Sequence, residues 1–186
     1  MNILAVYGSP NRNGNTATLI NAILKGAVKS GHQIDRFYVN FLNIHNCMAC
    51  ENADVAHAEK LCNFPDDMTT KIIPKMMDCD VLILGSPIYM GQITGAFKNF
   101  IDRWYTFIED ENEIRIVNGK KFITVVTSGA PTVDFKNVSE YLDYWLSRFF
   151  KMEKIDQIHE GNMMDSAAAA KNGELLKKAE ALGRSL

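Results

Sequence analysis

The sequence lacks a long hydrophobic run, an excess of either charge, and any abundance of cysteine. Its 186 residues carry 20 Lys and Arg against 22 Asp and Glu, a net charge of −2. Without a basic surplus or a polybasic cluster, neither nucleic acid nor an anionic membrane surface is an expected partner. No apolar stretch approaches the length of a membrane span. The run Ile3–Tyr7 is too short for a signal-peptide core and has no basic lead, so a cytoplasmic protein is expected. In that compartment the four cysteines, Cys47, Cys50, Cys62 and Cys79, read as thiols or ligands and not as disulfides. There is no internal repeat and no low-complexity linker. Residues 1–186 are therefore read as a single domain, long enough to bury about 70% of its unfolded surface without a disulfide or metal.

What is present is an alternation of two periods. Ile3–Tyr7, Val81–Gly85 and Phe122–Val126 are short continuous apolar runs, as buried parallel strands are. Gln33–Val39 and Lys154–His159 are less apolar and read as strands nearer an edge. Between them Leu19, Ile20, Ile23, Leu24, Ala27 and Val28 share one helical face, closed by Gly31. Further helices are expected over 67–77, over 93–108, from Phe135 to Phe149, and over 167–182. Trp104 and Trp145 fall on apolar stripes and are assigned to the core. Met76 and Met77 are expected to pack under the sheet, as are Met163 and Met164 near the last helix. Five strands alternating with helices give an open α/β sheet with right-handed crossovers. Ligands of such sheets bind beyond the carboxyl ends of the strands. Segments 8–16, 86–92 and 127–133 therefore hold the candidate site.

The first of these reads Gly8-Ser9-Pro10-Asn11-Arg12-Asn13-Gly14-Asn15-Thr16. It joins a buried strand to a helix whose first N–H groups and dipole favour an anion. Ser9, Asn11, Asn13, Asn15 and Thr16 add neutral donors around a phosphate. A nucleoside-triphosphate loop needs four residues between its glycines and then Lys. Here five residues separate Gly8 from Gly14, and Asn15 stands in the lysine position. ATPase and GTPase chemistry is thereby disfavoured, and no G-x-G-x-x-G is present for a dinucleotide.

The segments GSPNRNGNT (8–16) and GSPIYMGQITGAFKNFIDR (85–103) resemble two signatures of the NAD(P)H-dependent FMN and quinone reductase branch of the flavodoxin-like superfamily. TSGAP at 127–131 is a weaker third match, and all three stand in the family's order. The resemblance implies an α/β, flavodoxin-like three-layer sandwich with a five-stranded parallel sheet of order 2-1-3-4-5. It implies FMN as cofactor and NAD(P)H as co-substrate. Ser9, Asn11, Asn13, Gly14, Asn15 and Thr16 would then surround the phosphate, Pro87, Ile88, Tyr89, Met90 and Gly91 would lie along the isoalloxazine, and Ser128 and Gly129 would close the other side. The flavin carries the difficult chemistry, so no side chain is assigned a catalytic role. Asp102 and Arg103 are read as a structural pair. The expected activity passes electrons from NAD(P)H to a quinone, a flavin or another small acceptor. The alternatives are a flavodoxin-type electron carrier and a flavin-less binding module. The family's habit of completing the pocket with a second subunit makes a homo-oligomer, such as a dimer, the expectation, with Tyr105 and Tyr144 as candidate interface residues.

Related iron–sulfur flavoproteins carry a four-cysteine segment after the second strand. Here Cys47-x-x-Cys50 is followed by Ala53 in the third position, with Cys62 beyond. His45 and His57 do not complete a standard zinc spacing with these thiols. No metal site is assigned, and the segment is read as a degenerate remnant; a Cys47–Cys50 redox pair is the further option, without the strand–helix context of a thioredoxin motif.

Overall fold

The computed structural model describes residues 1–50, 62, 64–108, 114, 117 and 119–186. Strands β1 (Asn2–Tyr7), β2 (Gln33–Tyr38), β3 (Val81–Tyr89), β5 (Lys121–Thr127) and β6 (Glu153–Glu160) form one parallel sheet in the order β2-β1-β3-β5-β6. Counting only these long strands, this is the 2-1-3-4-5 order. The addition is β4 (Gln92–Ile93), two residues that return antiparallel onto the end of β3. Met90 (φ 49°) and Gly91 (φ 79°) make the turn between them. Two consecutive left-handed residues give the tight hairpin turn that matches strand twist. β3 therefore runs on to Tyr89, well past Gly85 where its apolar run stops.

Alternate side chains of each central strand feed two cores. Ile3, Ala5, Tyr7, Val81, Ile83, Ile123, Val125 and Ile158 face helices α1 (Asn15–Lys29) and α6 (Gly173–Arg184). Leu4, Val6, Leu82, Leu84, Phe122 and Val126 face α2 (Ile73–Asp78), α3 (Gly95–Asp102) and α4 (Lys136–Asp143). Each fully buried Val, Leu, Ile or Phe among them contributes about 1.5–3 kcal/mol of transfer free energy. Trp104 is fully buried between Phe100, Phe107 and Phe150, while Trp145 is half-buried at the margin of the same core.

The helices depart from their sequence boundaries for identifiable reasons. The 67–77 helix begins with a wide π turn, Met68–Ile72, and Pro74 at the start of α2 has no N–H to continue the ladder. The 93–108 helix begins later, because Ile93 belongs to β4. Thr94 caps α3 by accepting a hydrogen bond from the Phe97 N–H, and a tight turn at Arg103–Phe107 ends it. The Phe135–Phe149 helix is α4 followed by a π segment, Tyr144–Phe149. The last helix is broken into α5 (Ala168–Lys171) and α6 at Asn172, whose side chain accepts from the Leu175 N–H. Met76 is buried as expected, but Val28, at the margin of the α1 stripe, is 54%, Met77 55% and Met164 84% exposed. Met163 is half-buried against the α1 and α6 core. Among the described residues no helix is long and apolar enough to cross a membrane.

Candidate functional site at the carboxyl edge of the sheet

The three predicted loops converge at the carboxyl ends of β1, β3 and β5 and are tied to one another. The Gly8 N–H donates to the Gly85 carbonyl at 2.7 Å. The Gly8 carbonyl accepts from Thr94 Oγ1 at 2.6 Å and from Asn40 Nδ2 at 2.9 Å. The Thr94 N–H donates to Ser86 Oγ at 3.0 Å. Thr16 Oγ1 and Thr127 Oγ1 share a buried hydrogen bond of 2.7 Å, which joins the first loop to the third. A Cβ on Gly8 would stand 2.6 Å from Phe97 Cβ, so glycine there permits α3 to dock against the loop.

The first loop is internally braced. Ser9 Oγ accepts from the Asn11 N–H at 3.1 Å, and Asn11 Oδ1 accepts from the Asn13 N–H at 3.0 Å. The Gly14 N–H returns to the Asn11 carbonyl at 3.2 Å. Gly14 caps α1 with extended backbone and no side-chain hydrogen bond, so the N–H groups of Asn15, Thr16 and Ala17 have no intrahelical acceptor. The exposed amides of Asn11 and Asn13 border that end.

Not every predicted donor faces this centre with its side chain. The Asn15 amide turns inward. Its Nδ2 donates to the carbonyls of Met163 (3.1 Å) and Asp165 (2.8 Å), and its Oδ1 accepts from the Ala169 N–H at 2.9 Å. Thr16 spends its hydroxyl on Thr127. Asn15 and Thr16 therefore offer backbone N–H groups to an anion. Ser128 is buried, with its hydroxyl donating to the Ala130 carbonyl and its N–H to the Glu160 carbonyl. Gly129 beside it is half-buried. On the second loop Pro87 and Ile88 are half-buried, Tyr89 is 51% exposed and Met90 is fully exposed at the hairpin tip. Gly91 has open space where a Cβ would stand, so it serves the turn's positive φ and not a close backbone approach.

Two features were not legible as site features. Arg12, within the first loop, lies over the rings of Tyr38 (5.0 Å) and Phe41 (4.4 Å), which hold its cation in place. Segment 160–165 supplies a fourth wall: Met163 N–H donates to the Ser128 carbonyl and Asn162 N–H to the Ala130 carbonyl, both at 2.9 Å.

Arg103 is structural, as expected, though Asp102 is not its partner. The Arg103 side chain is 1% exposed and pairs with Asp66, while Asp102 pairs with Lys98. Arg103 also donates to the His45 carbonyl (2.8 Å) and to Cys62 Sγ (3.0 Å), tying these two residues to the turn that follows α3. Cys79 is buried where the chain enters β3 at the amino edge of the sheet, and burial pushes its thiol up to about 11. Ala53 and His57 lie outside the described residues.

The strand order, with helices on both faces of the parallel sheet, defines a flavodoxin-like protein, and the start of α1 at its carboxyl edge carries no side-chain cap. Residues 1–153 match the model of the NADPH-dependent FMN reductase family, and the chain belongs to it. It is 34% identical to an iron–sulfur flavoprotein of Archaeoglobus fulgidus over 129 residues, which are 69% of this chain and 60% of that one. It is 23% identical to a Bacillus subtilis protein bearing the name NAD(P)H-dependent FMN-containing oxidoreductase YwqN, over 98% of this chain and all of the other. An NAD(P)H:quinone oxidoreductase from Methanothermobacter marburgensis superposes with a TM-score of 0.76 at 16% identity, covering 100% of this chain and 96% of that one. The chain spans between 45% and 60% of the length of the first iron–sulfur flavoproteins it matches.

The donor set fits FMN. Three helix-start N–H groups and neutral amides suit a phosphate ester, and Pro87, Ile88 and Tyr89 offer an apolar surface beside it. The cysteines do not fit a [4Fe–4S] cluster, which generally takes four thiolates. Only Cys47, Cys50 and Cys62 belong to the segment, and the fourth cysteine is Cys79 at the amino edge.

Proposed function

We propose that the protein is a cytoplasmic FMN-dependent oxidoreductase that takes electrons from NAD(P)H and passes them to a quinone, a flavin or another small acceptor, acting as a homo-oligomer. The observation that carries this reading is the uncapped start of α1, set among three loops that are hydrogen-bonded to one another at the carboxyl edge. FMN, when bound there, supplies the hydride and electron chemistry. The chain's own residues bind and orient. Ser9, Asn11, Asn13 and Gly14, with the N–H groups of Asn15 and Thr16, hold the phosphate. Pro87, Ile88, Tyr89, Met90 and Gly91 shape one side of the ring slot, and Ser128 and Gly129 close the other. The names of the relatives support the same cofactor and co-substrate. Tyr105 and Tyr144, each about half exposed, are available to a second copy.

The test is the absorption spectrum of the purified protein with added FMN, before and after anaerobic NADH or NADPH. Bound-flavin bands that bleach with a nicotinamide are expected. Bands that bleach only with dithionite would identify an electron carrier, which the net charge of −2 disfavours, since carriers dock through strong charge. Absence of FMN binding would overturn the reading.

A further inference from the structure

The fourth wall carries a side chain with no structural task. Residues 161–169 are fixed from two directions. Asn15 holds the carbonyls of Met163 and Asp165 and the N–H of Ala169, while Ser128 and Ala130 accept from Met163 and Asn162. Gly161 is pressed against the third loop, where a Cβ would stand 2.3 Å from the Thr132 nitrogen. Met164 lies between the two anchored residues. It is 84% exposed, yet its thioether sulfur is 2.5 Å from the position a Cβ on Gly129 would take. A rigid backbone therefore presents a large apolar side chain across the Gly129 backbone, and that side chain buries almost nothing in the protein itself.

Pairing of Pro87 with Thr127 sets the second and third loops side by side, so Tyr89 and Met90 on one loop and Met164 over the other flank the same edge. Exposed apolar side chains grouped at a ligand edge suit a flat apolar ligand. An unbranched thioether adapts to an aromatic face and gains from sulfur–aromatic contact.

We infer that Met164 is a ring-contacting residue of the flavin slot, setting affinity for the isoalloxazine and not for the phosphate. This rests on the FMN reading above. The experiment is titration of the flavin-free protein with FMN and with riboflavin, followed by quenching of flavin fluorescence, for wild type, Met164→Ala and Met164→Leu. Loss of a buried methionine contact weakens FMN and riboflavin alike, by about tenfold, in Met164→Ala. The ratio of the two affinities stays constant, and Met164→Leu, with similar bulk, binds within about threefold of wild type. Thermal melting without flavin stays unchanged in both variants, since the side chain is exposed. Unchanged binding in Met164→Ala, tighter binding, or loss for FMN alone would overturn the inference while leaving the FMN reading intact. Failure of wild type to bind either flavin would overturn both.

Discussion

Asp66 and Arg103 show how one buried pair gathers several backbone donors around a single carboxylate. Arg103 is fully buried and Asp66 nearly so. The Asp66 carboxylate also accepts N–H bonds from His45 (2.8 Å), Met68 (3.0 Å) and Thr69 (3.2 Å). Burial by itself would raise this carboxyl, but the Arg103 hydrogen bonds and those backbone donors hold it below the ordinary value of 3.8. A carboxylate depressed in the folded state contributes stability that is complete above its unfolded value. That contribution is lost as the pH falls through the lower, folded value. An acid loss of stability below about pH 3.8 is thus expected from this group, and it should be absent in Asp66→Asn. At neutral pH the substitution leaves the Arg103 charge buried without its partner, at a cost of about 3–5 kcal/mol. Urea denaturation of the two proteins across acid and neutral pH measures both effects. A neutral-pH cost below about 1 kcal/mol would mean that the pair behaves as a solvated surface bridge.

At the scale of elements, the packing of α1 on α6 depends on backbone approach. Gly183 lies against the Ile23 carbonyl, and Gly26 against the Glu180 carbonyl. A Cβ on either would overlap backbone, which cannot rotate away as a side chain can. Gly183→Ala should therefore destabilise, although alanine is the better helix former by about 1 kcal/mol. Overpacking costs of about 1–3 kcal/mol are typical, and a backbone clash belongs at the upper end. A lowered melting temperature is the expected result, and an unchanged or raised one would show that the helices separate freely. These elements were legible in the sequence because apolar runs of period two and stripes of period 3.6 are local signals. The breaks were not. Asn172, which splits the last helix, and Ile93, drawn into a two-residue strand, answer to caps and pairings that periodicity does not record. The site divides in the same way. Its three loops follow from the positions of glycine and hydroxyl residues after strands. The inward turn of Asn15 depends on partners about 150 residues away, and an asparagine in a helix's first turn reads the same whichever way it points. Met164 resembled any other core methionine because exposure is a property of the assembled edge.

For the whole molecule, the sheet is shared. Every central strand places alternate residues in both cores, so neither helical layer can melt while the strands persist. The loops of the candidate site begin at those same strand ends, and Thr16 to Thr127 links β1's loop to β5 across β3. A ligand bound at that edge therefore stabilises the entire fold and not one loop. At a free concentration one hundred times its dissociation constant, FMN should add about 2.7 kcal/mol. In a chain of this size each kcal/mol shifts the midpoint by about 2–4 °C, giving a rise of about 5–11 °C. On the proposed reading, in which the phosphate takes the N–H groups at the start of α1, riboflavin lacks that group and should require a higher concentration for the same shift. Calorimetry of the flavin-free protein with each ligand reads this directly. A single transition that moves upward with FMN fits a site built into the shared sheet. Two transitions of which only one moves would mean that the carboxyl-edge loops and one helical layer form a unit separate from the rest.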